Sequence, residues 1–297
     1  MAGALEDAAK RGVAVRLAFN EDHRKAVPVP PPPEGDPSTI DELDVPTRGI
    51  PGVPDLMHHK YVVRDGASVW SGSTNWTLDS WSRQENAIAT VDSPALAARF
   101  TEDFEQLWQT GSVERSGKVD TAPVAVDGHQ VRAWFSPKRG ERLAHRIAFA
   151  IGHAKERVRI ASPVISSGPI LGTLAEVASD GKVDVAGVVD LTQVQEVLRQ
   201  WEANGNVTWK MPALHAALTR APFSGKRSTP YEPGSIHDYM HAKVTVADDT
   251  VFVGSFNLSH SGELNAENVL ELADADLADR MAAFVDELRG RYPAVEL

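Results

Sequence analysis

The sequence predicts an α/β protein made of two related halves. Two observations support this prediction: an internal duplication, and an alternation of helical and extended apolar patterns within each copy. Strands that alternate with helices along a chain usually form a largely parallel or mixed sheet covered by helices. With 297 residues, of which 42% are hydrophobic and 24% charged, the chain is long and apolar enough to bury the core of such a fold.

The duplication is clearest in two segments, residues 55–77 (DLMHHKYVVRDGASVWSGSTNWT) and residues 238–259 (DYMHAKVTVADDTVFVGSFNLS). Each segment begins with Asp-x-Met-His-x-Lys, continues as an apolar run to an Asp, turns, and resumes as a strand that ends in Gly-Ser-x-Asn. Farther along, the Glu85-Asn86 pair is mirrored by Glu267-Asn268. The two copies predict a pair of similar hairpins, each followed by an amphipathic helix, at 95–108 and at 277–288.

The elements upstream of the hairpins match less closely. In the second half we predict a helix at 142–154, a strand at 157–161, a helix at 170–180 and a further strand; in the first half, only a helix at 4–11 and a strand after Gly12 have counterparts. About one helix and one strand are missing from the first half. Either the reported start lies inside a longer gene product or this half closes its sheet in an unusual way, and truncation is the interpretation that we favour.

These boundaries predict a first repeat at 1–112, incomplete at its N-terminus, a linker at 113–130 and a second repeat at 131–297. Within the first repeat, the proline-rich stretch at 27–37 predicts an extended surface loop.

The bulk composition excludes several classes of function. The formal net charge of -11 disfavours non-specific binding to nucleic-acid backbones, which normally needs a basic face. Because there is no cysteine, disulfides and thiolate metal sites are excluded. No apolar run approaches the roughly 18 residues of a membrane span, and the N-terminal sequence lacks the pattern of a signal peptide. We expect a cytoplasmic protein as written, and a secreted one if a signal peptide has been lost upstream.

The pattern His-x-Lys-x4-Asp carries the chemistry. It occurs twice, and both copies are followed by Gly-Ser-x-Asn at nearly equal spacing, so chance is not a serious explanation. On a strand, side chains at i and i+2 share one face, so each His points the same way as its Lys. Ammonium and amide donors suit phosphate oxygens, while one imidazole is a potential nucleophile and a second can protonate the leaving group. The two halves together therefore supply one complete phosphate site.

The doubled HxKx4D with its trailing GSxN resembles the signature of the phospholipase D superfamily, the HKD phosphodiesterases, over the chain from about Gly12 to the C-terminal helix. The resemblance implies a pseudo-twofold pair of α/β/α sandwich lobes with one active site at their interface. It also implies a phosphodiesterase that needs no metal and no cofactor. One histidine attacks phosphorus to form a phosphohistidine, and the other acts as general acid and then activates water or an acceptor alcohol.

The resemblance assigns the central roles to His58 and His241, as nucleophile and general acid/base, with His58 favoured as the nucleophile. Glu85 and Glu267 resemble the carboxylates that hold the second ring nitrogen of each histidine, which fixes the tautomer and stabilises the imidazolium. Ordinary carboxylates at a helix start or strand end are the alternative interpretation of these two residues.

The remaining motif positions fall into three groups. The resemblance implies a phosphate clamp formed by Lys60, Lys243, Asn75 and Asn257. Supporting donors that bind substrate are Ser73 and Ser255. Asp65 and Asp248 look structural, bracing the turn away from phosphorus. Next to these groups, His59 and Trp70 are expected to pack in the core, and Trp76 and Trp81 to line the cleft.

The motif reports the phosphoryl step and leaves the ester open. We predict hydrolysis of phospholipid headgroup esters, with transphosphatidylation to an acceptor alcohol undecided, because both motifs lie in one chain and the chain is acidic. An endonuclease is the alternative enzyme, supported by basic and aromatic residues ahead of the second motif, among them Trp209, Lys210, Phe223 and Lys226. A phosphate-binding module without turnover is the alternative of another class. The partner is thus a phospholipid or, alternatively, a nucleic acid, and the oligomeric state is not predicted.

Overall fold

A computed structural model describes residues 1–21, 37–52, 54–205, 208–230 and 235–297. The loop predicted at 27–37 lies outside the described residues except for its last position, which begins a 3-10 turn (Pro37–Ile40).

The first half contains three helices and five strands among the described residues. They are α1 (Ala2–Lys10), β1 (Leu17–Asn20), β2 (Thr47–Ile50), β3 (Tyr61–Arg64), β4 (Ser68–Gly72), α2 (Leu78–Ser82), β5 (Ile88–Asp92) and α3 (Pro94–Thr110). The strands form two separate sheets: β1 and β2 pair in parallel, and β3, β4 and β5 form an antiparallel meander.

The second half is larger. After a 3-10 turn (Val113–Arg115), its elements are β6 (Val124–Val126), β7 (His129–Phe135), α4 (Gly140–His153), β8 (Arg157–Ser162), α5 (Gly168–Asp180), β9 (Asp184–Asp190), α6 (Leu191–Asn204), α7 (Lys210–Thr219), β10 (Phe223–Lys226), β11 (Val244–Ala247), β12 (Thr250–Gly254), α8 (His260–Leu264), β13 (Asn268–Ala273) and α9 (Ala275–Gly290).

All eight strands of the second half form one sheet in the order β10-β9-β8-β11-β12-β13-β7-β6. The first three strands are parallel to one another and the rest are antiparallel, so the sheet is mixed, as the sequence predicts. Strand β6 and the first two residues of β7 lie within the segment expected to be a linker, 113–130, and both strands belong to this sheet.

Both halves contribute to one core. On one face of the large sheet, α4, α5 and α7 bury a cluster of aliphatic side chains. On the other face, α9 packs together with α3 of the first half, and their apolar residues meet those of β4, β5 and β12. Because the β3–β4–β5 sheet and the eight-stranded sheet share this apolar cluster, the hairpins that contain the two motifs pack against each other.

The helices that close the two halves begin in the same way. Ser93 caps α3 by accepting the Leu96 N–H at 3.3 Å, and Asp274 caps α9 by accepting the Leu277 N–H at 3.0 Å. The predicted helices at 95–108 and 277–288 are confirmed, as are the elements predicted at 4–11, 142–154, 157–161 and 170–180, each within a few residues.

Candidate active site

Two matching hairpins carry the motif residues: β3–β4 in the first half and β11–β12 in the second. Lys60 and Lys243 directly precede the first strand of each hairpin, and Gly72 and Gly254 end the second. A Cβ atom added at Gly72 would lie 2.3 Å from the Ala87 carbonyl oxygen, and one at Gly254 would lie 2.0 Å from that of Asn268. Glycine is therefore required at both positions, since only it allows this close approach to the neighbouring strand.

Backbone hydrogen bonds join each histidine to the opposite half. The His58 N–H donates to the Ala266 carbonyl at 2.9 Å, and the His241 N–H donates to the Glu85 carbonyl at 3.0 Å. The residues just before the histidines, Met57 and Met240, form β-bridges with the same two partners. The arrangement is pseudo-twofold, and it makes Ala266 and Glu85 equivalent positions in the two halves.

His58 is paired with a buried carboxylate. Its Nδ1 lies 2.8 Å from both carboxylate oxygens of Glu267, which is fully buried and also accepts the Ser255 hydroxyl at 2.6 Å. Since a carboxylate accepts hydrogen bonds, Nδ1 carries the proton and Nε2 keeps its lone pair. Burial favours the neutral acid, yet the pKa of Glu267 is lowered overall because His58 and Lys60 stabilise its charge.

His241 is paired with an amide instead. Its Nδ1 lies 3.1 Å from Oδ1 of Asn86, whose Nδ2 donates to the Ser80 carbonyl at 2.9 Å. That second bond fixes the amide orientation, so His241 also carries its proton on Nδ1. The Ser73 hydroxyl donates to the same Oδ1 at 2.7 Å, as Ser255 does to Glu267. Asn86 therefore occupies in the first half the position that Glu267 occupies in the second.

The two motif lysines are buried and make the same contact. Lys60 Nζ donates to the His58 carbonyl and Lys243 Nζ to the His241 carbonyl, both at 2.8 Å. Burial lowers the pKa of Lys60 from 10.5 to about 8, although the charge of Glu267 opposes the shift. Burial and the neighbouring Lys60 hold the pKa of Lys243 well below its usual value. Two ammonium groups held this close together suit an anion with two or more oxygens.

The histidines influence each other across the interface. Burial lowers the pKa of His241 well below 6.5, and the charges of Lys243, Lys60 and His58 lower it further. Burial also lowers the pKa of His58, with Lys60 and Lys243 adding to the shift and Glu267 opposing it. Because residues of both halves act on each imidazole, the sequence-based expectation of a single shared site agrees with this geometry.

Comparison with known proteins agrees with this arrangement. The family model described as "Cardiolipin synthase, PLD-like domain" matches residues 1–108 and 147–289, well over half of the chain. The chain belongs to the phospholipase D superfamily. Its fold is similar to that of phosphatidylserine synthase from Haemophilus influenzae, with a TM-score of 0.54 at 16% sequence identity, covering 83% of this chain and 65% of that one.

Among curated proteins, this phospholipase D superfamily member is similar to the mitochondrial cardiolipin hydrolases of Xenopus laevis and Danio rerio. The identities are 36% over 53 residues and 44% over 54 residues, in each case 18% of this chain. The matched segments span 25% and 23% of those relatives, so the chain matches about a quarter of their length.

Glu85 requires a correction, because among the described residues its carboxylate contacts a lysine and a tyrosine rather than a histidine. Glu85 Oε2 accepts from Lys226 Nζ at 2.8 Å, and Glu85 Oε1 accepts the hydroxyl of Tyr292. The cause is the length of the connection that follows each motif serine. Asn86, which accepts the Ser73 hydroxyl, lies 13 positions after it, whereas Glu267, which accepts the Ser255 hydroxyl, lies 12 positions after it. The matching Glu-Asn dipeptides in the sequence are thus out of register by one residue in the structure.

The clamp asparagines Asn75 and Asn257 are half-buried. Within the described residues, Asn257 Oδ1 is buried without a hydrogen-bond partner, which leaves an amide atom available to a ligand. The motif aspartates lie at the hairpin turns, Asp65 with φ 56° and Asp248 with φ 48°. The Asp248 carboxylate accepts three backbone N–H groups at 155–157, between 2.8 and 3.1 Å, so a structural role is supported for this residue.

His59 packs away from the motif face, with Nε2 3.0 Å from Asp103 Oδ2 and Nδ1 3.2 Å from Asn268 Oδ1. The interpretation of His59 as a packing residue thus agrees with its position, although its buried partner on α3 could not be predicted from the sequence. Asn86 was also missed as a site residue. Its distance from the Gly-Ser pair could have identified it, if the connection were allowed to differ in length by one residue between the halves. Aligning the two Glu-Asn dipeptides hides this equivalence.

Several aromatic and basic residues lie elsewhere than expected. Trp70, predicted to be in the core, lines an open groove with Trp76 and Trp81, on the outer face of the β3–β4–β5 sheet. The basic and aromatic residues ahead of the second motif do not form one surface, because Phe223 is buried in the core and Lys226 is paired with Glu85.

The described part of the chain contains neither a membrane-spanning helix nor a metal-binding cluster. None of its helices combines the length and apolar character that a membrane crossing requires. It also holds no cluster of three or more His, Asp or Glu side chains suited to a metal ion.

Proposed function

We propose that this chain is a phospholipase D-type phosphodiesterase that hydrolyses phospholipid headgroup esters through a phosphohistidine on His58. The observation that carries the proposal is the pair of imidazoles, His58 half-buried and His241 buried, which come one from each half, are protonated on Nδ1 and are flanked by two buried ammonium groups. This arrangement supplies a nucleophile, an acid and a cationic site for one phosphate.

In the first step, Nε2 of His58 attacks phosphorus and a P–N bond forms. The bond from phosphorus to the headgroup oxygen breaks, and protonated His241 gives its proton to that oxygen, so the headgroup leaves as a neutral alcohol. Lys60 and Lys243 stabilise the charge on the phosphoryl oxygens as it increases.

In the second step, neutral His241 takes a proton from water, whose oxygen attacks phosphorus while the P–N bond breaks. The product is a phosphate monoester, and His58 returns to its neutral form. An acceptor alcohol in place of water would give transphosphatidylation by the same route.

The partners of the two histidines support this division of roles. A phosphorylated imidazole carries a positive charge, which the carboxylate of Glu267 stabilises, as an orienting carboxylate does in other nucleophilic sites. The amide of Asn86 fixes the tautomer of His241 without adding negative charge. His241 is therefore the stronger acid when protonated, and bound phosphate supplies the negative charge that favours its protonation.

Three facts support a phospholipid as the substrate. The net charge is -11, which disfavours binding to a nucleic-acid backbone. The matching family model is described as a cardiolipin synthase domain, and the partly matching relatives are named cardiolipin hydrolases.

The test is a side-by-side assay of the purified chain on cardiolipin and phosphatidylcholine vesicles and on single-stranded DNA, all in EDTA. We expect release of the headgroup alcohol from lipid, loss of that release in His58→Ala and His241→Ala, and no cleavage of DNA. His153→Ala, at an exposed histidine on α4, is the matched control and should retain activity. Cleavage of DNA alone would replace the lipid with a nucleic acid as substrate, and retention of lipid hydrolysis by both site variants would reject the mechanism.

A further inference from the structure

His59 lies inside the first motif, and its ring is buried between two polar side chains. Its Nε2 lies 3.0 Å from Oδ2 of Asp103 on α3, and its Nδ1 lies 3.2 Å from Oδ1 of Asn268, the first residue of β13. Only 5% of the His59 side chain is exposed, and the Asp103 side chain is fully buried. Burying such groups costs free energy, so their polar contacts need an explanation.

The amide of Asn268 joins the His59 ring to the backbone of the motif. Its Oδ1 also accepts the Lys60 backbone N–H at 3.1 Å, and its Nδ2 donates to the Ser71 hydroxyl at 2.7 Å. Because these bonds fix which amide atom faces the ring, Nδ1 of His59 carries a proton. Asn268 directly follows Glu267, so one amide bonds a ring and a backbone group of the first motif beside the carboxylate of the site.

Asp103 is itself held in place on the other side of the ring. Its Oδ1 accepts the Gly117 N–H at 2.9 Å, and its Oδ2 accepts the Tyr61 hydroxyl at 3.1 Å. Burial and the charge of Asp103 raise the pKa of Tyr61 well above its usual value, so this hydroxyl keeps its proton and remains a donor. The His59 ring therefore lies between two side chains whose own positions are fixed by hydrogen bonds.

The His241 side of the site has apolar residues at the equivalent positions. The residue equivalent to His59 is Ala242, in the second motif. The residue equivalent to Asn268 is Ala87, because the backbone carbonyl of each accepts the N–H of its motif serine at 2.9 Å. Ala242 is fully buried, Ala87 is 7% exposed, and both belong to the apolar cluster between the two sheets. Two methyl groups thus replace the polar pair.

Asp103 also corresponds to an apolar residue. Counted from the equivalent capping residues Ser93 and Asp274, its position in the second half is that of Phe284, a partly buried member of the same cluster. A duplicated fold that accommodates apolar residues at all three positions does not need polar ones in order to form. Their presence on the His58 side therefore indicates a role in the chemistry of that side.

We propose that His59 and Asn268 are positioning residues for His58, a role that rests on the proposed function of His58 as the nucleophile. Asn268 bonds the His59 ring and the Lys60 backbone, while the preceding residue, Glu267, holds Nδ1 of His58. The network keeps the imidazole and its carboxylate in register, with Nε2 free to attack phosphorus. The attacking atom needs this restraint because a displacement of about 1 Å can cost about 10²-fold in rate.

The first test measures steady-state hydrolysis of a phosphodiester with a nitrophenol leaving group by His59→Ala and Asn268→Ala. These variants carry the residues of the second half and remove the contact between the two side chains. We expect kcat to fall about 10- to 100-fold, with most of the loss in kcat rather than in KM, because the change displaces the attacking atom. His59→Asn, whose amide nitrogen lies near the position of the histidine Nδ1, should recover most of the lost rate.

Tyr61→Phe is the matched control. It removes a hydroxyl donor from the Asp103 carboxylate but leaves the bonds of Asn268 in place. Its thermal midpoint of unfolding should fall as those of the Ala variants do, yet its kcat should be nearly unchanged. A kcat that falls in step with stability in all of these variants would show a purely structural network and overturn the proposal. If an Ala variant does not fold, the Leu variant at the same position, which fills the space, takes its place.

A second readout does not depend on turnover. NMR of the histidine ring nitrogens reports which of them carries the proton, and the His58 signal is identified by its loss in His58→Ala. We expect a proton on Nδ1 in the unaltered chain and in Tyr61→Phe, and a mixture of both tautomers in His59→Ala and Asn268→Ala. An unchanged tautomer in both Ala variants would overturn the proposal, whether or not the chain is active. The expected mixture, without hydrolysis by the unaltered chain, would support the positioning role and reject the proposed function.

Discussion

The two sides of the active site have the same backbone but different hydrogen-bond acceptors. Each histidine donates its backbone N–H to the opposite half, and each motif lysine donates to the carbonyl of its own histidine. Yet His58 faces the carboxylate of Glu267, whereas His241 faces the amide of Asn86. The duplicated fold thus fixes where the groups lie, and in the mechanism that we propose the different acceptors, Glu267 and Asn86, separate the nucleophile from the acid.

A second difference lies behind the histidines. Beside Met57, the residues Ile50 and Ala266 form part of a small apolar cluster. At the position equivalent to Ala266, Glu85 instead joins Lys226 and Tyr292. In the second half the carboxylate of Glu267 lies at the position that binds a histidine. In the first half the carboxylate, that of Glu85, lies one residue before the equivalent position.

The largest effect is expected for Glu267→Gln. The amide cannot stabilise a positive phosphohistidine, so kcat should fall about 10³- to 10⁴-fold, as with other orienting carboxylates. Glu85→Gln is the matched control, and its kcat should be nearly unchanged because the Glu85 carboxylate contacts Lys226 and Tyr292 rather than either motif histidine. Steady-state hydrolysis of one phosphodiester by both variants checks this, and equal losses would contradict the asymmetry.

The pH dependence of kcat/KM should reflect both lowered histidine pKa values. His58 must be neutral to attack, and His241 must be protonated to act as acid; burial lowers both pKa values, that of His241 further. The maximum should therefore lie below about pH 6.5, the ordinary histidine value. A further decline is expected above pH 8, where Lys60 loses its proton. A maximum near pH 8 would contradict this account.

Asn86→Asp should make the two sides more alike. A carboxylate beside His241 raises the pKa of that imidazole, so the alkaline limb of the kcat/KM profile should move up by about one pH unit. The maximal rate should fall only a few-fold, since His241 becomes a weaker acid. Asn204→Asp, at the exposed end of α6, is the control. An unchanged profile would mean that residue 86 does not set the acidity of His241.

The smallest effect concerns stability. The pKa of Lys60 is lowered from 10.5 to about 8, so its charged form destabilises the fold at neutral pH. Lys60→Met should therefore raise the free energy of unfolding by about 1–3 kcal/mol at pH 7, at about 1.4 kcal/mol per pKa unit.

The gain should be full below pH 8 and should shrink between pH 8 and 10.5, where the folded lysine is neutral while the unfolded one is still charged. Urea unfolding at both ends of that range checks this, with the exposed Lys182→Met as control. A destabilised Lys60→Met protein would show that the ammonium stabilises the fold.

Much of this arrangement could be predicted from the sequence because the duplication encodes it twice. The HxKx4D and GSxN spacings define two hairpins whose shared faces follow from strand geometry. The pairing of Met57 with Ala266 and of Met240 with Glu85 was not predictable, since it depends on how the two halves dock. The role of Asn86 was hidden for a related reason: the connection around α2 is one residue longer than that around α8.

The most direct test of the central claim is to locate the covalent intermediate. In His241→Ala, a phosphodiester with a nitrophenol leaving group needs no acid in the first step and lacks the base for the second, so a phosphorylated protein should accumulate. Peptide mass spectrometry after rapid quenching at alkaline pH should place the phosphoryl group on His58. The assignment would be contradicted if His58→Ala accumulated a phosphoryl group on His241 while His241→Ala accumulated none on His58.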